Sequence, residues 1–222
     1  MTDRDRRPEP ASPRPGNRRP IAARSAGWAQ HAAAWLARTR VTPNQISVFS
    51  IVFAVVGALL LLRWPTLVGL VGCALAIQGR LVCNLLDGMV AVEGGRKSPL
   101  GALYNEFPDR IADSLFIVAL GYASGMPAWG WSGALAAALT AYVRLAGGAL
   151  GLAQSFRGPM AKQHRMAVMT GACLIGAGEQ VWAGSLWSLK VACVTIALGS
   201  ALTCVTRTRD IARQLQDAER AC

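Results

Sequence analysis

Asn84 and Asp87 lie three residues apart, and Asn105, Asp109 and Asp113 follow one another at intervals of four. On an α-helix each set shares one face. Between them runs VEGGRKSP, in which Gly94, Gly95 and Pro99 interrupt a helix while Arg96 and Lys97 offer cations suited to water or phosphate. The stretch 84–113 therefore reads as helix end, loop and helix start. Two polar faces set between long apolar runs can converge on one carboxylate-bearing pocket, the expected active site of a membrane enzyme.

Five further basic positions bear on that pocket. Arg80, seven residues before Asp87, either meets a phosphate, pairs with Asp87 or snorkels to the interface. Arg144 sits inside an apolar run, where a buried guanidinium serves most simply as a ligand for a phosphate or carboxylate. Arg157, Lys162 and Arg165 belong to the loop QSFRGPMAKQHR, and with Arg144 they suit an anionic or phosphate-bearing ligand. The non-catalytic alternative treats Asp87, Asp109 and Asp113 as polar groups at helix ends, or as partners of Arg80 and Arg110.

The elements that must position these residues are helical. The 222 residues are 53% hydrophobic, with a mean hydropathy of +0.33 and several uninterrupted apolar stretches, which points to an all-α polytopic membrane protein. Residues 1–24 carry seven arginines among prolines and almost no large apolar side chain, the composition of a disordered basic tail able to meet anionic headgroups. Over 25–40 the set Trp28, Ala32, Trp35 and Leu36 predicts an interfacial amphipathic helix. Thr42-Pro43-Asn44-Gln45 then supplies a cap, a proline for the first helical position and a capping-box glutamine.

A six-helix membrane domain is expected over 41–206. Its apolar runs cover about 46–62, 66–86, 111–123, 129–152, 166–182 and 186–205, the third extending back toward Gly101 so that Asn105 and Asp109 ride on the same rod. Residues 207–222 form a charged tail. The six cysteines contain no C-x2-C pair and read as small buried hydrophobes, and His31 and His164 are too far apart in sequence to suggest a metal pair.

Charge distribution sets the orientation. With six spans, 21 of the 23 Lys and Arg residues fall on the face shared by both termini and the polar segment, and only Arg63 and Lys190 fall on the other. Basic residues concentrate on the cytoplasmic side, so both termini and the pocket are expected there, in a bacterial-type cell membrane. The net charge of +11 is thereby a topology signal, and nucleic acid is not an expected partner.

The polar segment resembles the signature of the class I CDP-alcohol phosphotransferase family, D-x2-D-G-x2-A-R-x8-G-x3-D-x3-D. Asn84 takes the first Asp position, Asp87 the second, Gly88 and Ala91 match, Val92 replaces the Arg, Gly101 matches, Asn105 takes the third Asp position and Asp109 the fourth. The Thr-Pro-Asn start of the first span, the six spans and the basic loop between spans four and five are also similar to that family, from about Arg40 to Val205.

The resemblance implies transfer of a substituted phosphate from CDP-diacylglycerol or another CDP-alcohol to an acceptor alcohol, phosphate-bearing alcohols included, with release of CMP in phospholipid synthesis. It implies Mg²⁺ or Mn²⁺ as cofactor, Asp87, Asp109, Asn84 and Asn105 as metal ligands, Asp109 as general base, and Gly88, Ala91 and Gly101 at the CDP site. It also implies a homodimer among membrane lipids. Two of four expected carboxylates are asparagines, which offer only neutral oxygens, and Glu93 on the Gly-rich loop is the candidate to restore charge. The competing readings are a catalytically silent relative that binds CDP-lipid or a membrane partner, and a small transporter built around Arg144.

Overall fold

The computed structural model describes residues 26–95 and 99–220, which form seven α-helices and, among the described residues, no strand. The tail 1–24 lies outside them, as do Arg96 and Lys97. In chain order the helices are α1 (Gly27–Ala37), α2 (Pro43–Arg63), α3 (Leu67–Glu93), α4 (Gly101–Ala123), α5 (Pro127–Ala149), α6 (Lys162–Ala183) and α7 (Trp187–Arg220).

Local chemistry sets the boundaries nearest the pocket. At the start of α2 the Gln45 backbone N–H donates to the Thr42 hydroxyl at 3.3 Å, and the Thr42 N–H donates to the Gln45 side-chain oxygen at 2.9 Å. This reciprocal pair satisfies two backbone donors that a helix start leaves open. Helix α3 runs on to Glu93, beyond the apolar run 66–86, because nothing in NLLDGMVAVE breaks a helix. It stops at Gly94, followed by Gly95 at φ +62°. Helix α4 starts at Gly101 and carries Asn105, Asp109 and Asp113 on one rod.

Helix α2 packs on α3 and α4, α5 on α4 and α7, and α6 on α3 and α7. The shared core includes Leu61, Leu70, Ile77, Phe116, Met169 and Leu189, all fully buried. Helices α2, α7 and the part of α3 from Leu67 to Val92 are long and apolar enough to cross a membrane, and the chain is an integral membrane protein. Helix α1 lies against α3, burying Ala29 and Ala33 beside Leu85, Met89 and Val90. Trp28 and Trp35 stay exposed on it: small residues admit close helix approach, whereas the indoles do not fit that contact.

Helices α4 and α5 approach most closely at Gly121 and Gly130. A Cβ built on Gly121 would fall 2.6 Å from the Gly130 Cα, a backbone atom that cannot rotate away. Gly121→Leu is expected to destabilise the bundle by about 3 kcal/mol through overpacking, lowering the midpoint of thermal unfolding in detergent, while Gly178→Ala, in open space inside α6, does not lower it.

Candidate active site

Arg80, Asn84 and Asp87 come from the last turns of α3, and Glu106, Asp109, Arg110 and Asp113 from α4. Lys162 and Arg165 come from the first turn of α6. Where these elements meet lies a cavity of about 540 Å³. Asn84, Gly88, Asn105, Asp109, Arg144, Lys162 and Arg165 all line it, so residues from four helices that are distant in sequence share one space.

Asp109 is the hub. Its Oδ1 accepts from the Asn84 side-chain amide at 2.8 Å and from the Arg80 guanidinium at 3.1 Å, and Arg80 also donates to the Asp109 backbone carbonyl at 3.2 Å. Its Oδ2 pairs with the Lys162 ammonium, and Arg110 stands 3.8 Å away. Burial pulls the Lys162 pKa below the usual lysine value, and the Asp109 carboxylate pulls against that. Beneath the hub, fully buried Asp113 bridges Arg80 at 2.8 Å and Arg165 at 2.8 Å. Arg165 is anchored in turn by donation to the Met160 carbonyl at 2.9 Å.

Asp87 stands apart from the cavity lining. It is buried and its Oδ2 accepts from the Ser47 hydroxyl of α2 at 2.6 Å, yet it lies close enough to Asp109 for their charges to interact. Arg80 is likewise buried, off the lining, and pairs with Asp109 and Asp113, neither reaching Asp87 nor snorkelling to the interface. Ala91 and Gly101 lie off the lining as well. Arg157 is exposed, and its backbone carbonyl accepts from Arg207 at 2.9 Å. The Glu93 side chain is outside the described residues.

On the opposite wall Arg144 donates to Gln154 at 2.9 Å, pairs with Glu106 and lies 5.3 Å over the Phe156 ring. Glu106, on the neighbouring face of α4 from Asn105, reaches this arginine. Arg207 donates to the Thr140 carbonyl at 2.6 Å and closes the far end. His31 and His164 bond only local backbone carbonyls, and the five described cysteines are free.

Sequence reasoning passed over Ser47, Glu106 as a partner of Arg144, Gln154, Phe156 and Arg207, and it placed Trp28 on the interfacial helix without linking it to the cavity. A usable signal existed for Ser47: it and Ser50 are hydroxyls one turn apart inside an apolar span, a pattern that often marks a polar partner across the interface. Nothing comparable marked Arg207, which sits in a run of charges resembling a solvated tail.

Among the described residues no three His, Cys, Asp or Glu side chains gather as a metal-binding group. The donors present are two carboxylates, Asp87 and Asp109, with two amide side chains, Asn84 and Asn105, on the adjoining turns. These are hard oxygen donors, the type that Mg²⁺ and Mn²⁺ take.

No protein-family model and no curated protein matches the chain. Solved structures do, and all are similar in fold. Phosphatidylinositol phosphate synthase from Mycobacterium tuberculosis with CDP-DAG bound aligns at TM-score 0.70 and 22% identity, over 84% of this chain and 94% of that one. The same enzyme with manganese and citrate aligns at 0.70 and 23%, over 82% and 88%. Its apo form aligns at 0.64 and 24%, over 81% and 93%. The chain thus shares the helical fold of that synthase across nearly its whole described length.

Removing Asp113 would leave Arg80 and Arg165 buried without their shared counter-charge. Asp113→Asn is expected to destabilise the protein by about 3–5 kcal/mol. Glu106→Gln, at a partly exposed pair, is expected to cost about 1 kcal/mol or less. Parallel thermal unfolding of the two variants in the same detergent checks the order.

Proposed function

We propose that the protein transfers a substituted phosphate from a CDP-linked lipid or alcohol to an acceptor alcohol, releasing CMP, as the fold shared with a CDP-DAG-binding synthase and the spaced segment 84–109 together support. The observation that carries this reading is the placement of Asp109, joined to Asn84 across α3 and α4 at the floor of a cavity that Arg144, Lys162 and Arg165 line from α5 and α6.

In this reading the cation is held by Asp87 and Asp109 with the amide oxygens of Asn84 and Asn105. When bound it supplies charge neutralisation at the pyrophosphate. The chain's own groups do the rest. Arg144, Lys162 and Arg165 draw anionic oxygens into the cavity, and the cavity limits water around them. Gly88 leaves room for the nucleotide beside α3, with Ala91 and Gly101 shaping the turns on either side. The acceptor hydroxyl attacks the lipid-bearing phosphorus, a new P–O bond forms, the P–O bond to CMP breaks, and the hydroxyl proton passes to the Asp109 carboxylate. A phosphate-bearing acceptor suits Arg144, Lys162 and Arg165, with Arg157 at the outer edge. Glu93 remains a candidate for added charge.

The same reading places six spans in a cell membrane, with α1 as an interfacial helix whose exposed Trp28 and Trp35 sit at headgroup depth. Both termini and the cavity face the cytoplasm, and the functional unit is a homodimer surrounded by lipid.

The test is CMP release from CDP-diacylglycerol by purified protein with Mg²⁺ or Mn²⁺, offered glycerol phosphate, serine, inositol phosphate and lipid alcohols in turn. Release with at least one acceptor is expected, and Asp109→Asn is expected to lower it by about 10²-fold or more. Bound CDP-lipid with no CMP from any acceptor would establish the silent relative instead. Absence of both CMP release and nucleotide binding would overturn the reading altogether.

A further inference from the structure

Three cations converge on the one carboxylate that reaches the cavity from the signature positions: Lys162, Arg80 and Arg110 all stand on Asp109. Arg165 joins Arg80 on Asp113 directly below. Two carboxylates thus face four fixed positive charges. Lys162 is the one of these four best placed to act on a ligand. Its ammonium sits on Asp109 Oδ2 while its side chain lines the cavity, whereas Arg80 is fully buried beneath the site.

The amide at position 84 provides an independent observation. Asn84 donates its N–H to Asp109 Oδ1 at 2.8 Å. A carboxylate at that position could not approach Asp109 so closely without a cation between them, because two like charges in hydrogen-bond contact repel strongly in a poorly solvated site. With an amide at position 84 the contact needs no cation to hold it together, and the Asn84 carbonyl oxygen is left for one ion on the α3 side. On the α6 side of Asp109 an ammonium is already in place.

Resting on the function proposed above, we propose that Lys162 is the built-in second cation of this site, so that one divalent ion, not two, binds per chain. Lys162 neutralises Asp109 and the incoming pyrophosphate from the α6 side. A divalent ion approaching Asp109 from that side meets a fixed positive charge already in contact with its ligand.

Metal binding, read without turnover, tests this. Protein in detergent with saturating CDP is titrated with Mn²⁺, and free Mn²⁺ is counted by electron paramagnetic resonance. One bound ion per wild-type chain is expected, and two would overturn the proposal without recourse to any variant. Lys162→Gln, by removing the competing charge, is expected to raise Mn²⁺ affinity about tenfold or to admit a second ion, while Lys162→Arg keeps the wild-type behaviour. Equal or weaker Mn²⁺ binding by Lys162→Gln would also overturn it. A generally damaged fold does not produce tighter binding, so the expected gain is specific. Since CMP release plays no part in the measurement, its absence would refute the proposed reaction and leave this result standing.

Discussion

Asp113 cannot be ionised where it lies unless Arg80 and Arg165 lie there too. All three side chains are almost wholly removed from solvent, at side-chain exposures of 2%, 0% and 1%. An isolated charge so placed costs several kcal/mol, and only mutual contact at 2.8 Å makes the arrangement tolerable. Because the three residues come from α4, α3 and α6, that requirement fixes how these helices are rotated and staggered. A slip of one residue in any of them would turn a charge toward the apolar core by about a hundred degrees. The ion pairs are therefore weak evidence for stability and strong evidence for register, which puts Asp109, one turn before Asp113, at the cavity floor.

The same constraint spreads outward. The Ser47 hydroxyl ties α2 to Asp87 of α3, and Arg207 ties α7 to the Thr140 carbonyl of α5 and the Arg157 carbonyl of the connecting loop. Each contact joins elements that apolar packing alone would allow to slide, since leucine and alanine faces discriminate poorly between neighbouring registers. In a bilayer this matters more, because lipid tails solvate apolar helix faces as well as another helix does. Polar pairs and close glycine contacts, such as Gly121 against Gly130, then carry much of the specificity.

Helices and the polar turn between α3 and α4 were legible because they rest on local chemistry: a capping box, apolar runs, and the glycines at 94 and 95. Among the cavity residues Asn84, Asn105 and Asp109 were legible for the same reason, as spacings of three and four need no knowledge of the rest of the chain. The partners were not. Asp113 with Arg165 spans 52 positions, Ser47 with Asp87 spans 40 and Arg144 with Glu106 spans 38. No periodicity relates such pairs. Arg80 illustrates the limit: its proximity in sequence to Asp87 suggested a pairing, but the helix directs it across to Asp109 and Asp113 instead. In α1 the exposed Trp28 and Trp35 are the residues the apolar pattern marked, whereas Ala29 and Ala33, which it did not mark, make the contact with α3.

The cavity is divided in a way that bears on what it can hold. Trp28, Leu81, Val82 and Leu85 form its α1–α3 wall, whereas Arg144, Lys162 and Arg165 form the wall from α5 and α6. A small polar metabolite would leave the first wall without a partner, and a purely apolar ligand would leave three cations desolvated against it. A molecule with an anionic phosphate at one end and an apolar body at the other satisfies both, provided it enters with its apolar part along α1 and α3. Asp109 stands where the two walls meet. The lipid-bearing phosphorus, where the proposed reaction exchanges its bond to CMP for a bond to the acceptor, is the part of such a ligand that this arrangement brings to the carboxylate.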